Sequence, residues 1–212
     1  SMTLDMGNTD KLADFRAEAQ RLGIKIAPPS VNASGVDFDV KGETIHYALA
    51  ALKGIGRQAV EAIVTARGDR PFADLADFAR RIDPRAVNKR VLESLAAAGA
   101  FDPLERDRAR VFAATEQMLA EAQRQYEATS SGAMEFSFGG PGTSGALRLP
   151  AAETWLPADR LQREYDAIGF FLSGHPLDDY AHLLKRLRLQ SWAEFARAVK
   201  APRNLAIHDR VY

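Results

Sequence analysis

Apolar and polar positions change period several times along the chain, and the clearest change lies between Ala48 and Arg67, ALAALKGIGRQAVEAIVTAR. An apolar run leads into a Lys53-Gly54-Ile55-Gly56 turn. In the run that follows, Val60, Ile63 and Val64 fall at i, i+3 and i+4. This spacing predicts a helix, a tight hairpin and a second helix, with those three residues on its core face and Glu61, Thr65 and Arg67 outside. Ile55, between the glycines, is expected to point inward and lock the hairpin.

Upstream, Leu12, Phe15, Ala19 and Leu22 share one side of a helix that Thr9 can cap and Gly23 can stop. Ile24-Lys25-Ile26 reads as extended and is halted by Pro28-Pro29. Val36 to Val40 alternates, Lys41-Gly42 turns and Thr44 to Tyr47 returns, which predicts a β-hairpin. Downstream, Phe72, Leu75 and Phe78 begin a short helix ending near Ile82, and Asp83-Pro84 interrupts it. Asn88 to Ala98, with Val91, Leu92 and Leu95 on one face, ends at Gly99-Ala100-Phe101 and predicts a second helix pair, whose turn lacks the second glycine.

Arg106 to Gln125 reads as one long amphipathic helix with Ala109, Phe112, Leu119 and Ala122 packed. Thr129 to Gly145 is rich in Gly and Ser and reads as a flexible loop, yet it holds Met134, Phe136 and Phe138. Pro157 to Phe171 returns to helix, with Leu161, Tyr165, Ile168 and Phe171 on one side and Ser173-Gly174 as its end. Pro176 suits a first helical position. Leu177 to Leu189 and Trp192 to Val199 supply the last apolar faces.

The turn at Gly54 and Gly56 is where this pattern acquires chemistry. Two glycines permit positive φ and close backbone approach, and they leave the amides that open the second helix uncovered. A helix N-terminus carries partial positive charge, so a phosphate fits there with Lys53 and Arg57 flanking it. Such a site offers backbone to phosphate and no side chain to read bases. Arg85, Lys89 and Arg90 stand beside the second pair as supporting contacts; a solvated charged helix face is the plainer account of the same residues.

Composition narrows the setting. With 46% hydrophobic residues in 212, the chain can bury a real core. Lys plus Arg number 28 and Asp plus Glu 28, so no overall basic field attracts a polyanion and any such surface is local. Locality is present: Lys53, Arg57, Arg67, Arg70, Arg80, Arg81, Arg85, Lys89 and Arg90 face only Glu61, Asp69, Asp74, Asp77 and Asp83 over the same stretch. The chain has no cysteine, which excludes disulfides and thiolate metal sites. No signal peptide or apolar membrane span appears, and a cytoplasmic setting is expected. Ser1-Met2 resembles a tag remnant and Arg210-Val211-Tyr212 reads like a strand beginning, both expected of a piece of a longer protein.

His175, Asp179 and His182 fall at i, i+4 and i+7, but His175 precedes a proline at a helix start and no fourth ligand is evident, so no metal site is assigned. No nucleotide loop, nucleophile elbow or paired-carboxylate motif occurs, and no catalytic residue is assigned. The scattered Asp and Glu residues read as helix surface.

The stretches MTLDMGNTDKL, IKIAPPSVNASGVDF, HYALAALKGIGRQAVEAIVTAR, VNKRVLESLAAAGAFD and EYDAIGFFLSGHPLDDY, in this order and spacing, resemble the alpha subunit family of bacterial DNA polymerase III, from Thr3 to about Tyr180. The LSGHPL segment is more similar to the replicative enzymes than to their error-prone relatives. The resemblance implies a mainly α fold, a tandem helix-hairpin-helix with a small β-hairpin and additional packed helices. It divides the chain into the end of a fingers domain (1–47), the tandem motif (48–128), a flexible loop (129–150), a helical segment (151–205) and the start of an OB-fold (206–212). The palm aspartates and their Mg2+ belong to the full-length polymerase, so this piece is expected to be inactive alone and to need no cofactor of its own.

The resemblance further implies grip on duplex DNA through Lys53, Gly54, Ile55, Gly56 and Arg57, supported by Arg85, Lys89 and Arg90, and contact with a sliding clamp and other holoenzyme subunits. The clamp motif of the family aligns with Ala133, Met134, Glu135, Phe136, Ser137 and Phe138, where Ala133 stands in place of the family's glutamine and weakens the expected contact. Two other readings stay open. A helix-hairpin-helix piece of a repair nuclease or ligase predicts metal-dependent cleavage, and a protein-interaction scaffold predicts no duplex affinity even at low salt.

Overall fold

The computed structural model describes residues 2–130 and 147–187. The candidate clamp motif at 133–138, the helix expected at 192–199, the strand expected at 210–212 and the domain start expected at 206–212 lie outside the described residues. The chain divides into two compact units, residues 1–175 and 176–212.

The first unit opens with α1 (Thr9–Arg21), capped by Asn8 rather than Thr9: the Asn8 side chain accepts from the Lys11 N–H. Leu12 and Ala19 are buried, whereas Leu22 is exposed. Three short strands follow, β1 (Lys25–Ala27), β2 (Asp39–Lys41) and β3 (Thr44–His46). The expected hairpin is β2 with β3, antiparallel, and β1 adds in parallel to the other side of β3, giving the order β1-β3-β2. The strand expected from Val36 is shorter, because Val36 and Phe38 turn toward the core and the Phe38 ring packs edge-on to Tyr47 at 5.0 Å.

The helix expected just before Lys53 is reduced to one 3-10 turn, Leu49–Ala51. Tyr47, Ala48, Leu49, Ala51 and Leu52 are all buried, so no polar face steers this run. Tertiary hydrogen bonds take its backbone instead. The Leu49 and Ala50 amides donate to the carbonyls of Gly35 and Val36, and Leu52 is extended. Then come α2 (Arg57–Arg67), α3 (Leu75–Arg81) and α4 (Lys89–Ala97), the last two capped by the side chains of Asp74 and Asn88. Arg67, expected outside, turns inward at the end of α2 and donates to the carbonyls of Val31 and Ser34 at 3.0 and 2.6 Å.

The stretch expected as one helix from Arg106 is two, α5 (Arg108–Ala113) and α6 (Thr115–Ser130). At the break the Ala114 amide is shared between earlier carbonyls of the same turn, and the buried Thr115 hydroxyl donates to the Phe112 carbonyl. α7 (Pro157–Ile168) stops at Gly169, whose φ of +101° ends the helix before the expected Ser173-Gly174. Its core face is Glu164, Ala167 and Ile168; Tyr165 points outward.

α4 is the centre of this unit. It packs on α5, α6 and α7, while α3 packs on α6. Val91, Leu92, Leu95, Phe78 and Phe101 fill the interior, with the Phe78 and Phe101 rings edge-to-face at 4.9 Å. In the second unit the described residues form a 3-10 turn, Asp178–Tyr180, and α8 (Ala181–Arg186). Among the described residues no helix is long and apolar enough to cross a membrane, and no group of three or more His, Asp or Glu residues could hold a metal ion.

Candidate nucleic-acid interface

The hairpin before α2 is held from both sides. The Lys53 amide donates to the Ala167 carbonyl at 2.8 Å, which ties the turn to the end of α7. Ile55 is 8% exposed and anchors the turn in the core, as its place between two glycines predicts. Gly54 has a φ of +77°, and a β-carbon there would lie 3.2 Å from Arg90 Nε. Glycine at 54 therefore answers both a backbone conformation and a close approach. Gly56 corrects the expectation of positive φ at both glycines: at φ −75°, ψ 145° it is the extended N-cap of α2, and a β-carbon there would meet nothing within 4 Å. What it leaves is open space before the helix.

The first turns of the helices differ in charge. α1, α3, α6 and α7 each carry a carboxylate there, as the macrodipole favours, whereas α2, α4, α5 and α8 carry none; α2 opens on Arg57 and α4 on Lys89-Arg90. α2 also has no side-chain cap. Cations at an uncapped N-terminus repel the helix end by about 0.3–1 kcal/mol unless an anion sits between them.

The structure separates the cations named from the sequence into two groups. Arg57 is committed to Asp37 through paired bonds of 2.9 Å and to Glu61 at 3.1 Å. Those bonds hold the Asp37 carboxyl below its usual range and raise the guanidinium. Arg85 bonds Asp83 at 2.9 Å and lies over the Tyr126 ring, and Lys89 bonds Glu116 at 2.5 Å. All three pairs are exposed, stabilise the fold little and are screened by salt. Lys53 and Arg90 have no carboxylate partner among the described residues. These two flank Gly54, with Lys53 Nζ 5.8 Å from the centre of the Tyr165 ring.

A family model of the helix-hairpin-helix motif matches residues 23–111, which contain this hairpin and α4. The DNA polymerase III subunit alpha of Caulobacter vibrioides is 44% identical over 195 residues, 92% of this chain and 17% of the relative. The chain is homologous to a segment of the DNA polymerase III alpha subunit. The Thermus aquaticus subunit is 36% identical over 92% of the chain, and that of Mycobacterium tuberculosis H37Rv 35% over 82%. The chain spans only 16% and 15% of the length of those two relatives.

One ionic cluster in this region escaped the sequence reading. Glu164 of α7, 1% exposed, accepts from the Leu172 and Ser173 amides at 2.9 and 2.7 Å and from Arg108 Nη1 at 3.2 Å. Arg108, 6% exposed, also bonds Asp102 at 2.8 Å. Burial alone would raise the Glu164 carboxyl, but the amides of Ser173 and Leu172 and the guanidinium outweigh it and hold it below the usual range. A β-carbon at Gly99, with φ +79°, would lie 2.1 Å from Arg108 Nη2, so this glycine makes room for the buried cation. The sequence pattern puts Glu164 on the helix surface, and the structure buries it. Its only sequence signal is its place three residues before Ala167 and four before Ile168, on the apolar side.

Proposed function

We propose that the chain grips duplex DNA by its phosphate backbone, without reading sequence, and so helps a replicative polymerase stay on its template. The observation that carries this is the hairpin itself: an uncapped helix start behind a Gly-Ile-Gly turn, with Lys53 and Arg90 beside it and unpaired among the described residues. A phosphate oxygen at the α2 N-terminus would accept from the opening amides while the two cations neutralise it. Arg57, Arg85 and Lys89 join by exchanging exposed carboxylates for phosphate, at little energetic loss.

The sliding clamp, through Met134, Glu135, Phe136, Ser137 and Phe138 with Ala133 at the glutamine's place, and other holoenzyme subunits are the protein partners of this reading. Its setting is the bacterial cytoplasm. Nucleotide transfer, with its Mg2+, belongs in this reading to the remainder of the polymerase.

The test is fluorescence anisotropy with the 212-residue chain and a labelled duplex. Lys53→Ala/Arg90→Ala is expected to weaken binding about tenfold, equivalent to about 1.4 kcal/mol, and to weaken it equally on unrelated sequences. Arg57→Ala/Arg85→Ala is expected to lose less. Unchanged affinity in the Lys53/Arg90 variant would remove the hairpin from the interface.

A further inference from the structure

Beyond the motif, exposed cations continue the line that starts at Lys53 and Arg90. Arg90 and Arg163 both line a cleft of about 210 Å3 between α4 and α7. The Arg163 guanidinium lies 4.4 Å from the centre of the Trp155 ring and 5.4 Å from that of Phe112. Those two rings meet edge-on at 5.5 Å. A guanidinium held by stacking is fixed in orientation while its in-plane N–H donors stay free, which suits it to phosphate oxygens.

Trp155 is also a wall of the next cavity, about 270 Å3, where Arg106 and Arg160 are found. None of Arg163, Arg160 and Arg106 has a carboxylate partner among the described residues. The carboxylates beside them are engaged. Glu93 faces Lys89 at 3.8 Å, Asp166 accepts from the Gln162 amide at 3.0 Å, and Asp107 accepts from the Ala109 and Arg110 amides that open α5. The stretch therefore gathers three cations that form no ion pair among the described residues, while Glu93, Asp166 and Asp107 are each held by other groups.

We infer that Arg163, Arg160 and Arg106 form a second lane of contact to the DNA backbone, continuing from the hairpin across the α4–α7 cleft. The inference rests on the reading of the hairpin as a duplex-backbone site and extends it to residues outside the matched motif. Trp155 acts as a positioning residue, holding Arg163 edge-on to the strand. The lane is electrostatic, so it lengthens the footprint and steepens the salt dependence without adding sequence preference.

The test uses the same chain and a labelled duplex across a salt series, with Arg106→Ala/Arg160→Ala and, separately, Trp155→Ala. All positions changed in the double variant are exposed, so its thermal unfolding should match wild type, which separates lost contact from lost fold. Loss of two phosphate contacts is expected to lower the slope of log affinity against log salt by about 1.8, with affinity falling several-fold at low salt. Trp155→Ala should lower the affinity, and Arg163→Ala in that background should lower it no further. Duplex binding that is lost in Lys53→Ala/Arg90→Ala but unchanged in affinity and slope in Arg106→Ala/Arg160→Ala would overturn the second lane and leave the hairpin standing. Absence of duplex binding by the wild-type chain would overturn both.

Discussion

Replacing Glu164 by alanine is expected to destabilise the fold by about 3–5 kcal/mol, the range for breaking a buried ion pair from one side. The carboxylate serves three donors, the Leu172 and Ser173 amides and Arg108. Without it the Leu172 and Ser173 amides lose their acceptor, and Arg108 keeps only Asp102 and the Ala97 carbonyl. For a chain of this size the change corresponds to a drop in Tm on the order of 10 °C, measurable by circular dichroism. Glu164→Gln keeps the shape and one acceptor and should lose less, about 1–3 kcal/mol.

The same residue sets an acid limb. Its folded pKa is depressed, so its contribution is fully present above the unfolded value of about 4.3 and is lost as pH falls through the folded value. Unfolding free energy should therefore fall with pH below about 4.3 in the wild type, and this part of the slope should vanish in Glu164→Gln.

Substituting Gly169 by alanine should be the other large effect, about 2–5 kcal/mol. Its φ of +101° is outside what L side chains adopt readily, which costs about 1–2 kcal/mol. The added β-carbon would also lie 2.4 Å from Thr9 Cγ2 and 2.9 Å from Lys53 Cε, and relieving such overlap costs about 1–3 kcal/mol more. Both neighbours matter: Thr9 begins α1, and Lys53 is the entry to the Gly54–Gly56 turn. The variant is expected to lower Tm and, because Lys53 must shift, to weaken duplex binding even well below its Tm.

The elements set by local chemistry were legible. Asn88 before a Val91-Leu92-Leu95 face gives α4, Leu75 and Phe78 give α3, whose start the structure moves from Phe72 to Leu75 behind the Asp74 cap, and Gly-Ile-Gly gives the hairpin with Ile55 inward. What the sequence hid depends on contacts between distant residues. The run before Lys53 has the apolar content of a helix, but the Gly35 and Val36 carbonyls, more than ten residues upstream, take its amides. Arg57 looked like a free cation because its partner Asp37 is 20 residues away, on the far side of the sheet strands in sequence. Glu164 and Arg108 are 56 residues apart, and a helical wheel of either alone shows a charged residue bound for solvent. The hairpin's shape was thus readable, but which of its cations remain unpaired was not.

Backbone grip is measured most directly as the affinity of the unmodified 212-residue chain for two duplexes of unrelated sequence over a salt series. Equal affinities for the two, falling steeply and linearly in log–log form with salt, are the predicted result. No binding at low salt, or a clear preference for one sequence, would contradict it.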